Sequence, residues 1–257
     1  MPSGSGYQIS PFPIEPMFFV DALAEQGARV AGVARAGPPR SRVPHMRRWT
    51  LSDVVAHLGG VHRWAAGIVA ERVMDTGHRR GRATGEALAE WFDEGLAKLV
   101  AVLSAADFAG PCPNFSPGSP KTVGFWARRQ AHETTVHRWD AEAAAGCASP
   151  IEATLATDGI DEVLTVFRRT RGGQHLDAPL LLQTTDTGAS WRVTPAAKPG
   201  RVDVGPVGGA TSDAAAVAAP AQDLLLALWG RCSPDGSAFQ VTGRTELARA
   251  FMPGPGQ

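Results

Sequence analysis

Cysteine is scarce in this chain. Cys112, Cys147 and Cys232 are odd in number and widely spaced, and none belongs to a Cys-x-x-Cys pair. That excludes a disulfide scaffold and a cysteine-rich zinc site as readings of the sequence. An excess of either charge is also lacking: 25 basic and 25 acidic residues leave a formal net charge of zero. Nothing global therefore favours nucleic acid or an anionic membrane as a partner. The basic cluster His78-Arg79-Arg80-Gly81-Arg82 reads as a solvated loop. Long apolar runs are missing, and the longest fall far short of the roughly 20 residues that cross a bilayer. The N-terminus carries no basic segment followed by an apolar stretch, so a cytoplasmic setting is expected. No internal repeat is visible.

The 257 residues, 44% of them hydrophobic, suffice for one large or two ordinary domains with a sizeable core. Residues 1–16 hold Pro2, Pro11, Pro13 and Pro16 among Gly and Ser and read as an irregular arm. Apolar spacing then predicts a helix near 17–35, stopped by Pro38-Pro39. A second helix runs from Thr50 to about Val73, with Thr50 as N-cap and Asp53 completing a variant capping box. A third fits 85–104, carrying Leu88, Trp91, Phe92 and Leu99. A proline-rich loop leads to a fourth over 122–145, which Gly146 ends. Four amphipathic segments of this length predict a four-helix bundle over 17–150.

After Pro150 the pattern changes. One helix fits 151–169, and β-like runs follow at 180–185, 191–194, 201–204 and 239–242. A helix opened by Pro220 lies at about 220–231, and a short one at 245–251 closes the pattern. Residues 208–220, rich in Gly and Ala, read as a flexible loop. The expectation for 151–257 is a small α/β domain, and for the whole chain an α+β fold.

The most informative stretch is Ala131-His132-Glu133-Thr134-Thr135-Val136-His137-Arg138-Trp139-Asp140. On a helix, residues four apart lie about 40° from each other, so Glu133 and His137 share a face and suit one divalent metal. The zincin pattern needs histidines four apart. Here His132 and His137 are five apart, about 140° round the helix. A third ligand is available in His57 on the second helix, giving two histidines and one carboxylate with positions left open. The ordinary alternative stands beside this. A histidine among apolar neighbours is often a hydrogen-bonded core residue, and Glu-x3-His pairs arise by chance. Asp140 reads as an acceptor behind His137 or as a partner of Arg138. His62 and His132 lie off the face and read as structural or exposed, and Trp64, Trp126 and Trp139 as core. None of the cysteines is nominated as a nucleophile.

Two runs carry a resemblance. Trp49-Thr50-Leu51-Ser52-Asp53-Val54-Val55-Ala56-His57-Leu58-Gly59-Gly60-Val61-His62-Arg63-Trp64 and Arg128-Arg129-Gln130-Ala131-His132-Glu133-Thr134-Thr135-Val136-His137-Arg138-Trp139-Asp140-Ala141-Glu142 resemble the mycothiol-dependent maleylpyruvate isomerase family of DinB-like metalloenzymes. The run Pro220-Ala221-Gln222-Asp223-Leu224-Leu225-Leu226-Ala227-Leu228-Trp229-Gly230-Arg231 is similar to that family's C-terminal domain. The resemblance implies a zinc-binding DinB-like bundle followed by a small α/β domain. It implies His57, Glu133 and His137 as ligands of Zn²⁺ or another divalent metal, and Arg231 as a catalytic residue. It implies mycothiol and a small electrophile as partners. The sequence departs from the family where Met46-Arg47-Arg48-Trp49 replaces a Cys-Pro-Gly-Trp-like run.

The implied chemistry is thiol addition. Metal coordination favours the thiolate of a thiol that is mostly protonated at neutral pH. Reversible addition to an activated alkene gives cis–trans isomerisation, and release of the adduct gives S-transfer. Arg231 would bind a substrate carboxylate or steady an enolate through its planar donor fork. A hydrolase using activated water and a non-catalytic ligand-binding bundle are the alternatives; the latter predicts a site closed by a fourth protein ligand. Nothing in the sequence demands more than a monomer or a weak homodimer.

Overall fold

Thr50 starts the helix that carries His57. Its Oγ1 accepts from the Asp53 amide at 3.3 Å, and the Asp53 carboxylate accepts from the Thr50 amide at 2.8 Å. The capping box read from the sequence is thus present. The computed structural model describes residues 14–46, 48–74, 85, 87–168, 176–198, 201–207, 213–252 and 254–255. The arm up to residue 13 and the basic cluster at 78–82 lie outside the described residues. The chain divides into two compact units, Glu15–Ile151 and Glu152–Pro255.

The first unit holds α1 (Pro16–Ala36), α2 (Leu51–Glu71), α3 (Ala87–Ser104) and α4 (Val123–Ala144). α1 packs on α3 and α4, and α2 packs on the same two helices. Consecutive helices α1 and α2 therefore lie diagonally, so the chain crosses an end of the bundle to reach α2. Leu23 and Val30 of α1, Val54 and Leu58 of α2, Phe92 and Leu99 of α3 and Trp126 of α4 are fully buried. α2 and α3 approach closely at Gly59, where a Cβ would come within 2.1 Å of the Trp91 ring.

The fourth helix departs from the amphipathic expectation. Phe125, Trp126 and Val136 are buried, but so are Arg129, Thr134, Arg138 and Asp140. α4 is an interior helix with a polar lining, and each buried polar group needs a partner there. Arg138 shows how that is met. Its guanidinium donates to Gln26 of α1 at 2.9 Å, to Glu142 at 2.7 Å and to the Ser149 and Pro150 carbonyls at 2.8 and 3.1 Å.

The second unit begins with α5 (Ala153–Glu162), which continues as a π-helical turn over Val163–Arg168. A mixed sheet of order β3-β2-β1-β4-β5 follows. Its strands are β1 (Leu180–Thr184), β2 (Ser190–Pro195), β3 (Val202–Gly205), β4 (Ala215–Ala219) and β5 (Gln240–Gly243). β1 and β4 run parallel, and the other pairs are antiparallel. Leu182, Trp191, Val193, Val204 and Val217 bury one face. Between β4 and β5 runs α6 (Ala221–Leu228), and α7 (Thr245–Phe251) follows β5. Gly243 ends β5 with φ 74, and a Cβ there would sit 2.3 Å from the Ala214 carbonyl oxygen.

One expectation fails here. Residues 215–219 form the parallel partner of β1 rather than a loop. Alanine carries no strand preference of its own. The run is a strand because its sheet neighbours and the elements packed on it bury Ala215, Val217 and Ala219.

Candidate metal centre

α2 and α4 are neighbours in the bundle, and their facing residues meet at three side chains. Nε2 of His57 lies 2.9 Å from Oε1 of Glu133. Nε2 of His137 lies 3.5 Å from the same oxygen. One donor atom from each of the three residues falls within 4.8 Å of the other two. The two imidazole rings stand 4.9 Å apart at 72°. The side chains of His57 and Glu133 are 24% and 21% exposed, so the cluster is open to small molecules.

Further groups hold these three in place. Nδ1 of His137 lies 2.9 Å from Oδ2 of Asp140, which is fully buried. Asp140 thus serves His137, while Arg138 pairs with Glu142, settling the two options the sequence left open. Nη2 of Arg129 donates to Oε2 of Glu133 at 2.9 Å. Trp49 stacks on the His137 ring at 5.8 Å and 8°, and meets the His57 ring edge-on at 5.1 Å. Sequence reasoning missed both Arg129 and Trp49. Arg129 stands one turn before Glu133, a spacing that signals contact. Trp49 precedes the N-cap of α2, where spacing says nothing about tertiary contact.

The electrostatics follow from these contacts. Burial alone would raise the Glu133 carboxyl. Hydrogen bonds from His137 and His57, with the charge of Arg129, outweigh it and hold the group well below the usual carboxylate range. Burial disfavours an imidazolium at His137, but the hydrogen bond to Asp140 and the nearness of Glu133 push it up to about 9.

The donor set fits a divalent ion. A tetrahedral zinc with ligands at about 2.1 Å holds them roughly 3.4 Å apart. The observed 2.9 and 3.5 Å separations bracket that value. With Nδ1 of His137 engaged by Asp140, Nε2 is the nitrogen left to bind. Among the described residues, no fourth His, Cys, Asp or Glu joins the cluster. A set of three leaves room for an exchangeable ligand.

The other histidines of these helices are structural. His62 is fully buried, with Nε2 2.9 Å from Thr134 Oγ1, and burial drives its pKa down to about 3. His132 is buried edge-on to Phe19 at 5.7 Å. Cys112 and Cys232 are held as thiols. Burial raises Cys112 despite the opposing Arg72, and burial with Asp223 pushes Cys232 up to about 12.

Family profiles match both units. The mycothiol maleylpyruvate isomerase N-terminal domain matches residues 20–142, and the MDMPI C-terminal domain of that family matches residues 154–250. The chain belongs to the mycothiol maleylpyruvate isomerase family. It is thereby a member of a family of enzymes, with an α+β fold. Its fold is similar to the crystal structure of a mycothiol-dependent maleylpyruvate isomerase. The TM-score is 0.60 at 12% identity, over 89% of this chain and 93% of that one. A histidine-to-alanine mutant of a mycothiol-dependent maleylpyruvate isomerase aligns over the same shares with a TM-score of 0.59 and 12% identity. No curated protein matches the chain.

Of the four site residues expected for a family member, the structure brings together His57, Glu133 and His137. Arg231 belongs to the second unit, just past α6. There Gly230 takes φ 72, and the amides of Gly230 and Arg231 donate to the Ala227 and Leu226 carbonyls at 2.9 and 2.8 Å. That is a Schellman motif, and it fixes the backbone from which Arg231 projects. Its Nη1 donates to the Trp229 carbonyl at 2.7 Å.

Proposed function

We propose that this chain is a metal-dependent isomerase that uses mycothiol to interconvert cis and trans forms of a small electrophilic alkene. The convergence of His57, Glu133 and His137, in a chain whose two units both match the family, supports this reading. Zinc held by these residues would lower the pKa of a bound thiol and orient its sulfur toward an electrophilic carbon.

The chain's own residues have definite tasks in that reading. His57 and His137 would offer ring nitrogens, His137 once its Nε2 proton is released to make room for the metal, and Glu133 would offer one carboxylate oxygen. Asp140 accepts the Nδ1 proton of His137 and fixes the tautomer whose Nε2 carries the lone pair. Two neutral imidazoles and one carboxylate leave a divalent ion with net positive charge, so an anionic sulfur is favoured as the next ligand. Trp49 covers the two imidazoles with an aromatic surface. Arg231 is assigned to a substrate carboxylate, since a guanidinium binds carboxylates with paired donors. His137 is the least exposed of the three, at 11%.

Elemental analysis of wild type beside His57→Ala and Glu133→Ala tests the metal. The expected result is about one zinc per chain, lost in both variants. No metal in wild type after loading with zinc would overturn the reading. Turnover of a cis-alkene diacid with and without mycothiol then tests the thiol. Activity that needs water and no thiol would mark a hydrolase instead.

A further inference from the structure

The Glu133 carboxylate is divided between two sets of partners. Oε1 faces the two histidine nitrogens at 2.9 and 3.5 Å. Oε2 accepts from Nη2 of Arg129 at 2.9 Å. Arg129 and Glu133 are an i,i+4 pair on α4, and the Arg129 side chain is only 3% exposed. A surface pair of this kind is weak, because water screens it and both side chains are mobile. Here the guanidinium is buried and Glu133 is 21% exposed, so the arginine is held by its surroundings and losing its partner would leave its charge uncompensated. The geometry is therefore fixed on both sides of the carboxylate.

That division bears on how Glu133 meets an ion. A carboxylate binds a divalent metal through one oxygen or through both. With both oxygens free, Glu133 could take two coordination positions, one of which an incoming ligand requires. An oxygen already accepting a charge-assisted hydrogen bond from a guanidinium is a poorer second ligand, since part of its acceptor capacity is engaged.

We infer that Arg129 is a positioning residue: by engaging Oε2 it holds Glu133 as a one-oxygen ligand and keeps a coordination position open for an exogenous sulfur or oxygen donor. The inference rests on the metal reading proposed above. Arg129 also adds a positive charge beside the centre, which favours an anionic incoming ligand. The partners that orient metal ligands are set by such hydrogen bonds, and their loss typically weakens metal affinity about 10–100-fold.

The test uses the full chain loaded with cobalt(II) as a coloured stand-in for zinc, in wild type, Arg129→Met and Arg129→Lys. Wild type should show the intense visible bands of a four-coordinate ion, and these should shift when a small thiol is added. Arg129→Met should bind zinc about 10–100-fold more weakly in competition with a chelator. It should show the weaker bands of a higher coordination number and lose most of the thiol-induced shift. Arg129→Lys restores the charge and should recover part of the affinity. A purely structural arginine would lower the melting temperature of Arg129→Met without moving the bands. Wild-type bands and a wild-type thiol response in a folded Arg129→Met overturn the inference while leaving the metal reading intact. Should that variant not fold, X-ray absorption at the zinc edge of wild type decides: both Glu133 oxygens bound to zinc overturns it, and one oxygen supports it. A wild type that binds neither cobalt nor zinc overturns both readings together.

Discussion

Asp140 and His62 show two opposite uses of a buried polar group on or beside α4. Asp140 is fully buried against Nδ1 of His137. Asp140→Asn keeps the shape but loses the carboxylate that holds the ring. We expect zinc affinity to fall about 10–100-fold, measured by chelator competition, with the helix content of wild type. Unchanged affinity would remove Asp140 from the site. His62 is buried where it cannot accept a proton, and its pKa falls from the ordinary 6.5 to about 3. Below pH 6.5 the unfolded chain takes up a proton that the folded chain refuses. Stability must therefore fall as pH drops from 6.5 toward 3. His62→Gln keeps a partner for Thr134 and should flatten that acid limb in urea titrations. An equal slope in both proteins would rule out His62 as its source. Glu133 and His137 were legible in the sequence because helical spacing alone puts them on one face. His57 needed the pairing of α2 with α4, which no local pattern contains. Trp49 was illegible, since only the path of the loop before α2 brings it onto both rings.

The helices were easier to read than the strands. Thr50, Asp53 and Gly146 act locally, through caps and a left-handed turn, so the limits of α2 and α4 could be read within a residue or two. β4 had no such marker. Five residues of which four are alanine give no strand preference, and only register against Leu180–Thr184 makes them one. The interior character of α4 was hidden for a related reason. Its arginines and acids read as a solvated face until their partners on other elements are known. Arg138 and Glu142 are the clearest case, with side chains 0% and 5% exposed. Glu142→Ala would strand the Arg138 guanidinium and should cost about 3–5 kcal/mol in chemical denaturation. A loss well below 1 kcal/mol, the size of a surface pair, would contradict the burial described for them.

Taken together, the two units match the α+β expectation, with helices first and a mixed sheet after. Metal binding should be visible as stability of the folded chain, because the unfolded chain presents no assembled site. At a free zinc concentration 100-fold above its Kd, the gain is about 2.7 kcal/mol. A melting temperature that rises with zinc, falls with chelator and does neither in His57→Ala is the expected pattern. A zinc response that survives in His57→Ala would place the ion elsewhere.

The diagonal placement of α1 and α2 also governs when the centre can come into being. α1 finds its partner α4 only after about a hundred further residues have left the ribosome. Until then α1 has chiefly α3 to pack on, and His57 has no Glu133 to face. An ion held by His57, Glu133 and His137 could not guide the early steps of assembly, as it does in zinc fingers. It would be captured only once α4 has docked on α2. The rate at which zinc enters a refolding chain should therefore report the docking of α2 against α4.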